Sequence, residues 1–219
     1  VKTIQVGGLK ESYIRPLAYY GYGTMGLTPT ANKVDVSISC WEWKMGESKA
    51  GKFSGAKCKV SSWIKIDSRS QPMQAKAASN YANAALARME ALENGYDEAI
   101  MLNSQGKVAE GSAENLFVIR NGKIYTPETT SALEGITRDT VITIAREQGF
   151  EVIEKRITRD EIYIADEAFF TGSAAEVTPI RELDNRKIGC GSRGVITEKL
   201  QSLYFDYVHG RADDHADWL

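Results

Sequence analysis

A lysine among small residues, two glycine-bearing tracts and two closely spaced acids define the chemistry open to this chain. Lys76 lies in Ala75-Lys-Ala-Ala-Ser79. Small neighbours let a lysine lie against a flat ligand, and partial burial disfavours its charged form and favours nucleophilic chemistry. Most lysines are solvated, and Lys76 taken alone is better read as one of those. In Leu133-Glu-Gly-Ile-Thr137 a glycine precedes a threonine N-cap at a predicted helix start. Free N–H groups and the positive end of the helix dipole there favour a phosphate or carboxylate. A plain capped helix is the commoner use of that pattern. Gly172-Ser173-Ala174 offers a second set of backbone donors, or simply a tight turn. Glu110 and Glu114 precede Leu116-Phe117, and a carboxylate in such company needs a specific partner unless it sits on a surface hairpin. Tyr13 and Arg15 share one face of the first predicted strand. Arg15 can hold a carboxylate through two parallel hydrogen bonds, or be a surface arginine. Trp41 and Trp43 either wall a pocket or fill a core at a domain junction.

The elements that must position these groups read as a mixture. Tyr13 to Tyr20 and Val34 to Trp43 have strand character, with Val34, Val36, Ile38 and Cys40 on one face. Residues 44–52 are small and polar and read as a mobile connection between two domains. Lys57 to Ile66 resumes alternation. From Ser79 to Asn94 the spacing predicts a helix with Ala82, Ala85, Leu86, Met89 and Leu92 along one stripe and Gly95 as its stop. Glu98 to Leu102, Leu116 to Arg120 and Lys123 to Thr126 are predicted strands, the last two joined by the hairpin signal Asn121-Gly122. Thr137 to Gln148 is a predicted helix capped by Thr137, followed by a strand at Glu151 to Arg156 and a short helix at Arg159 to Ala165. Strands at Ala168 to Thr171 and Val177 to Glu182 lead to a last helix at Ile196 to Val208. Strands joined by hairpins outnumber helices, which predicts an α+β fold.

Composition narrows the function classes. The 219 residues are 42% apolar and 26% charged, an ordinary globular profile. Lys+Arg is 27 and Asp+Glu is 29, for a formal charge of −2, which argues against nucleic acid as a partner. No apolar run approaches the ~18 residues of a membrane-spanning helix, and no secretory pattern opens the chain. Cys40, Cys58 and Cys190 are scattered, and only His209 and His215 are present, so no metal site is expected. Sparse cysteines suit a reducing compartment, and the cytoplasm is the expected location. With both histidines near the C-terminus, proton transfer is expected to fall to another group.

The order and identity of the motifs are more specific than any one of them. Tyr13-Ile-Arg-Pro-Leu17, Ser61-Ser-Trp63, Ala75-Lys-Ala-Ala-Ser-Asn-Tyr81, Glu110-Gly-Ser-Ala-Glu-Asn-Leu-Phe117, Leu133-Glu-Gly-Ile-Thr-Arg-Asp139 and Thr171-Gly-Ser-Ala-Ala-Glu-Val-Thr-Pro179 occur in sequence. Together they resemble the branched-chain aminotransferases, fold-type IV enzymes that use pyridoxal 5′-phosphate. The resemblance implies a two-domain fold: residues 1–40 the remainder of a smaller N-terminal domain, 41–52 an interdomain loop, and 53–219 the large cofactor-binding domain. It implies that Lys76 carries the cofactor, that Glu110 bonds its ring nitrogen and that Tyr81 lies near its phenolic oxygen. Leu133, Gly135, Ile136, Thr137, Gly172 and Ser173 match phosphate-binding segments. Tyr13, Arg15 and the Ser173-Ala174 backbone match the receivers of a substrate carboxylate. Trp43 matches a pocket wall, and Leu27 a loop that reaches a neighbouring subunit's pocket, implying at least a homodimer.

The implied reaction moves an amino group between L-leucine, isoleucine or valine and 2-oxoglutarate. Family members carry a further N-terminal segment with part of the side-chain pocket, and the chain is expected to be a piece lacking it. Two alternatives stand beside this reading. One is a D-amino acid or (R)-amine transaminase, or an aminodeoxychorismate lyase, of the same fold. The other is a non-catalytic ligand-binding fragment.

Overall fold

A computed structural model describes residues 1–42, 53–212, 215 and 218. Trp43 and the predicted connection at 44–52 lie outside the described residues. The chain divides into two compact units, Val1–Glu47 and Ser48–Leu219.

The first unit holds helix α1 (Lys2–Gly7) and an antiparallel pair, β1 (Tyr13–Tyr20) and β2 (Val34–Trp41). Tyr13 faces Trp41 at one end and Tyr20 faces Val34 at the other. The loop between them closes through Gly21 N–H to Lys33 O at 2.7 Å, and Asn32 Oδ1 accepts from the Thr24 N–H and hydroxyl. Within this unit Val34, Val36 and Ile38 are exposed, because a two-stranded sheet has one face too many for its own helix to cover.

The second unit is built on a nine-stranded mixed sheet. Its strands are β3 (Ala56–Val60), β4 (Glu98–Leu102), β5 (Val108–Gly111), β6 (Asn115–Arg120), β7 (Lys123–Thr126), β8 (Val152–Glu154), β9 (Glu167–Gly172), β10 (Glu176–Leu183) and β11 (Arg186–Lys187). They lie in the order β5-β4-β3-β10-β9-β6-β7-β8, with β11 paired to β10. The helices are α2 (Tyr81–Glu93), α3 (Ile136–Glu147), α4 (Arg159–Tyr163) and α5 (Val195–Val208). One core packs Ile100, Leu116, Val118, Phe170 and Ile180 with Ile162 of α4. The other packs Phe117, Phe169 and Val177 beneath Val141, Ile144, Leu200 and Tyr204 of α3 and α5. The Phe117 and Phe169 rings stack at 4.8 Å. This is the expected α+β arrangement. Among the described residues no helix is long and apolar enough to cross a membrane.

Four local expectations need correction. Helix α2 forms, but its buried stripe is Ala84, Ala87 and Ala91, packed on Ala99 and Met101, while Ala85, Leu86, Met89 and Leu92 are exposed. Small alanines let the helix approach the sheet closely, so size rather than hydropathy chose the face. Helix α3 is capped by Gly135 in an extended conformation, not by Thr137, whose buried hydroxyl bonds Tyr204 instead. The strand expected to reach Ile66 ends at Val60, because Glu90 draws the chain aside through the Ser61 hydroxyl and the Ser62 N–H at 2.6 and 2.9 Å. The strand expected at Glu151 to Arg156 spans only Val152–Glu154. Strands β5 and β11 carry no sequence expectation of their own.

The Asn121-Gly122 hairpin forms as expected. Both residues have positive φ, 52° and 73°, the condition for a two-residue turn whose twist matches its strands.

Candidate active site

The segment before α2 presents Lys76. Ala77 N–H donates to Ala75 O at 2.7 Å, which puts Lys76 at the apex of a three-residue turn. The Asn80 side-chain amide fixes that turn from below, donating to Ala75 O and Pro72 O at 3.1 and 3.3 Å. Lys76 Nζ donates to Tyr81 Oη at 2.9 Å, so the short 3-10 turn at Ala78–Asn80 brings the amine to the phenol of the first residue of α2.

Glu110 lies one residue before the end of β5, opposite Met101 of β4, and is buried. Its Oε1 lies 2.5 Å from Lys65 Nζ, and its Oε2 accepts from Asn115 Nδ2 and Leu133 N–H, each at 3.3 Å. Burial pushes the Glu110 carboxyl above the ordinary carboxylate value. Lys65, the Leu133 N–H and the nearby Lys76 charge pull it back. Glu114 is likewise raised by burial, against the pull of the Ala113 N–H and Arg88.

Asn115 links the acid to both glycine-bearing tracts. Its Nδ2 donates to Leu133 O at 2.8 Å. A Cβ on Gly135 would come within 2.1 Å of Asn115 Oδ1, so close approach, not a positive φ, demands glycine there. On its other side Asn115 pairs with Thr171, one residue before Gly172. The N-terminus of α3 and the end of β9 therefore converge on the residue that also holds Glu110. Ile136 is exposed at the helix start, and Ser173 and Ala174 are exposed in the turn that follows β9. Gln74 ties the lysine's approach to the same region. Its side chain donates to Thr129 O and Ala132 O at 2.6 and 3.2 Å and accepts from Glu134 N–H at 3.1 Å.

This donor set fits pyridoxal phosphate. Lys76 supplies an amine for an aldehyde, Tyr81 a phenol beside it, and Glu110 a buried carboxylate for a ring nitrogen. The Gly135 cradle and the α3 N–H groups suit the phosphate. Thr171 Oγ1, buried and without a hydrogen-bond partner among the described residues, leaves polar capacity at the same place. The histidines are committed elsewhere: His215 Nε2 meets Glu147 at 2.8 Å and His209 Nδ1 meets Phe205 O at 2.7 Å.

The expected carboxylate receivers Tyr13 and Arg15 belong to the first unit, where Arg15 Nη2 donates to Tyr13 Oη at 2.9 Å. Leu27 is fully exposed in the loop of that unit. Lys65, Gln74, Asn115 and Thr171 belong to the constellation without a role from the sequence. Asn115 stands inside the quoted Glu110–Phe117 motif and Lys65 two residues after Trp63, which are the signals that could have drawn them in.

A family model for class IV amino-transferases matches residues 1–183. The branched-chain-amino-acid aminotransferase of Pseudomonas aeruginosa is 51% identical over 216 residues, covering 99% of this chain and 70% of that protein. That of Escherichia coli K12 is 39% identical over 219 residues, covering 99% and 71%. The solved E. coli branched-chain amino acid aminotransferase superposes with a TM-score of 0.95 at 38% identity, covering 99% of this chain and 72% of that one. The branched-chain amino acid aminotransferase from Thermobaculum terrenum, solved in its PLP form, superposes with a TM-score of 0.90 at 39% identity, covering 98% and 70%. By that family model and these relatives, the chain belongs to the class IV amino-transferase family.

Proposed function

We propose that this chain is a pyridoxal-phosphate-dependent branched-chain amino acid aminotransferase. It exchanges the amino group of L-leucine, isoleucine or valine with 2-oxoglutarate. The observation that carries the reading is the joining of Glu110, Leu133, Gly135 and the end of β9 through Asn115. It supports reading Glu110 as the ring-nitrogen acid and the Gly135 tract as the phosphate cradle, because one residue contacts both. The relatives named above bear the same activity in their names.

When bound, the cofactor supplies an electron sink that makes the substrate's Cα–H bond acidic. The chain's own groups do the rest. Lys76 Nζ would hold the cofactor and would move the substrate's Cα proton, as base and then as acid. Tyr81 Oη accepts from Lys76 Nζ and orients it. Glu110 keeps the ring nitrogen protonated. The N–H groups at Gly135, Ile136 and Thr137, with Gly172 and Ser173, bind the phosphate. The Ser173-Ala174 backbone offers N–H groups for the substrate carboxylate, and Tyr13 and Arg15 are its side-chain candidates by residue type, as Trp43 is for a pocket wall.

We also infer the domain division 1–40, 41–52 and 53–219, supported by the two compact units. A homodimer in the cytoplasm completes the reading. The exposed Leu27, Leu86, Met89 and Leu92 support self-association.

The test is the absorption of the loaded protein before and after L-leucine. Conversion of the lysine-bound band to the pyridoxamine form supports the assignment. Conversion by D-alanine in preference to L-leucine moves the substrate to the D-amino acid relatives and refutes it.

A further inference from the structure

We propose that Lys65 is a positioning residue for the cofactor, its buried ammonium keeping the Glu110 carboxylate charged and aimed at the ring nitrogen. This rests on the reading above, in which Glu110 serves that nitrogen. The Lys65 and Glu110 side chains are only 5% and 7% exposed and meet at 2.5 Å. An isolated charge at such depth is costly, so each group needs the other. The pair is held from both ends. Lys65 N–H donates to Leu102 O at 2.8 Å, fixing its backbone to the strand beside β5. Glu110 Oε2 is fixed by Asn115 and Leu133. Lys65 therefore engages Oε1, while Oε2 is turned to Asn115 and to Leu133, two residues before Gly135. Of the other charges, Lys76 acts on Glu110 in the same sense as Lys65, and Glu114 feels Arg88 and both members of the pair. Neutral, Glu110 could not hold a proton on a ring nitrogen, and the electron sink would weaken.

Lys65→Met and Lys65→Arg test this in two independent ways. Infrared difference spectra against Glu110→Gln report the charge of Glu110 in the cofactor-free protein. Wild type and Lys65→Arg should show a carboxylate at neutral pH, and Lys65→Met a protonated carboxyl. In the loaded enzyme Lys65→Met should lower kcat by ~10–100-fold, the range for partners that orient a site's direct ligands. KM should hardly move, and Lys65→Arg should recover most of the rate. A Glu110 still ionised in Lys65→Met overturns the proposal. If that variant does not fold, the wild-type spectrum decides, since a protonated Glu110 at neutral pH overturns it equally. Failure of the functional reading looks different: Lys76→Ala would still carry covalently bound cofactor, whatever the infrared result.

Discussion

Gly135→Ala is a sharp structural test, because the damage it does can be counted. The added Cβ would lie 2.1 Å from Asn115 Oδ1, against an ordinary carbon–oxygen contact of about 3.3 Å. Asn115 must retreat by over an ångström, and it is buried. Retreat breaks its 2.8 Å bond to Leu133 O and its 3.3 Å bond to Glu110. A buried hydrogen bond is worth about 1 kcal/mol net, and an orphaned partner costs about 1–3 kcal/mol. The expected loss is about 2–4 kcal/mol, or roughly 5–12 °C in Tm for a unit of this size. Gly172→Ala is the control. Its Cβ would meet nothing nearer than 3.7 Å, an ordinary contact, and the expected change is within ~0.5 kcal/mol. Urea unfolding of the cofactor-free protein, followed by circular dichroism, measures both. A Gly135→Ala protein as stable as wild type, or a Gly172→Ala protein that is the weaker of the two, would refute the Asn115-centred frame.

Glu90 couples the same unit to pH. Burial raises its carboxyl, but Lys59, the Ser61 hydroxyl and the Ser62 N–H outweigh this and bring it from 4.5 to about 2. A depressed carboxylate stabilises above its unfolded pKa, and that contribution is lost as pH falls through the folded value. Unfolding titrations should therefore show up to about 3 kcal/mol disappearing between pH 5 and 2 that the Glu90→Gln variant never possesses. Identical pH profiles would contradict this. Gln74→Ala releases the 129–134 loop from the lysine's approach and should weaken cofactor affinity ~10-fold by fluorescence titration, with about 1 kcal/mol lost in stability. Gly122→Ala, at φ 73°, should cost about 1 kcal/mol in urea unfolding and leave turnover unchanged.

The legible parts of the chain are those where one local rule has no competitor. Asn121-Gly122 needs positive φ at both positions, and few residues tolerate that. On α5, Leu200, Tyr204 and Tyr207 recur at helical spacing and are buried in the core that holds Phe169. The stripe on α2 misled because periodicity weights large side chains, while the sheet beneath accepts only alanines. Thr137 obeyed the capping rule by type, but its hydroxyl has a buried tyrosine to bond, and Gly135 took the cap. In the site, Lys76 and Glu110 were visible as types in unusual company. Lys65 was not, since apart from its place just after Ser61-Ser-Trp63 nothing local distinguishes a buried lysine from a solvated one. Only the fold brings β5 and the segment after β3 together. Asn115 was hidden for the same reason: its three connections lie 5 to 56 positions away along the chain.

Covalent capture of the cofactor tests the central assignment most directly. The protein loaded with pyridoxal phosphate is reduced with borohydride, digested and mapped by mass spectrometry, beside Lys76→Ala. The phosphopyridoxyl mass should fall on Lys76, and Lys76→Ala should show neither that adduct nor turnover with L-leucine. An adduct on another lysine of the wild type, or turnover that survives Lys76→Ala, would contradict the role of Lys76 and the active site built around it.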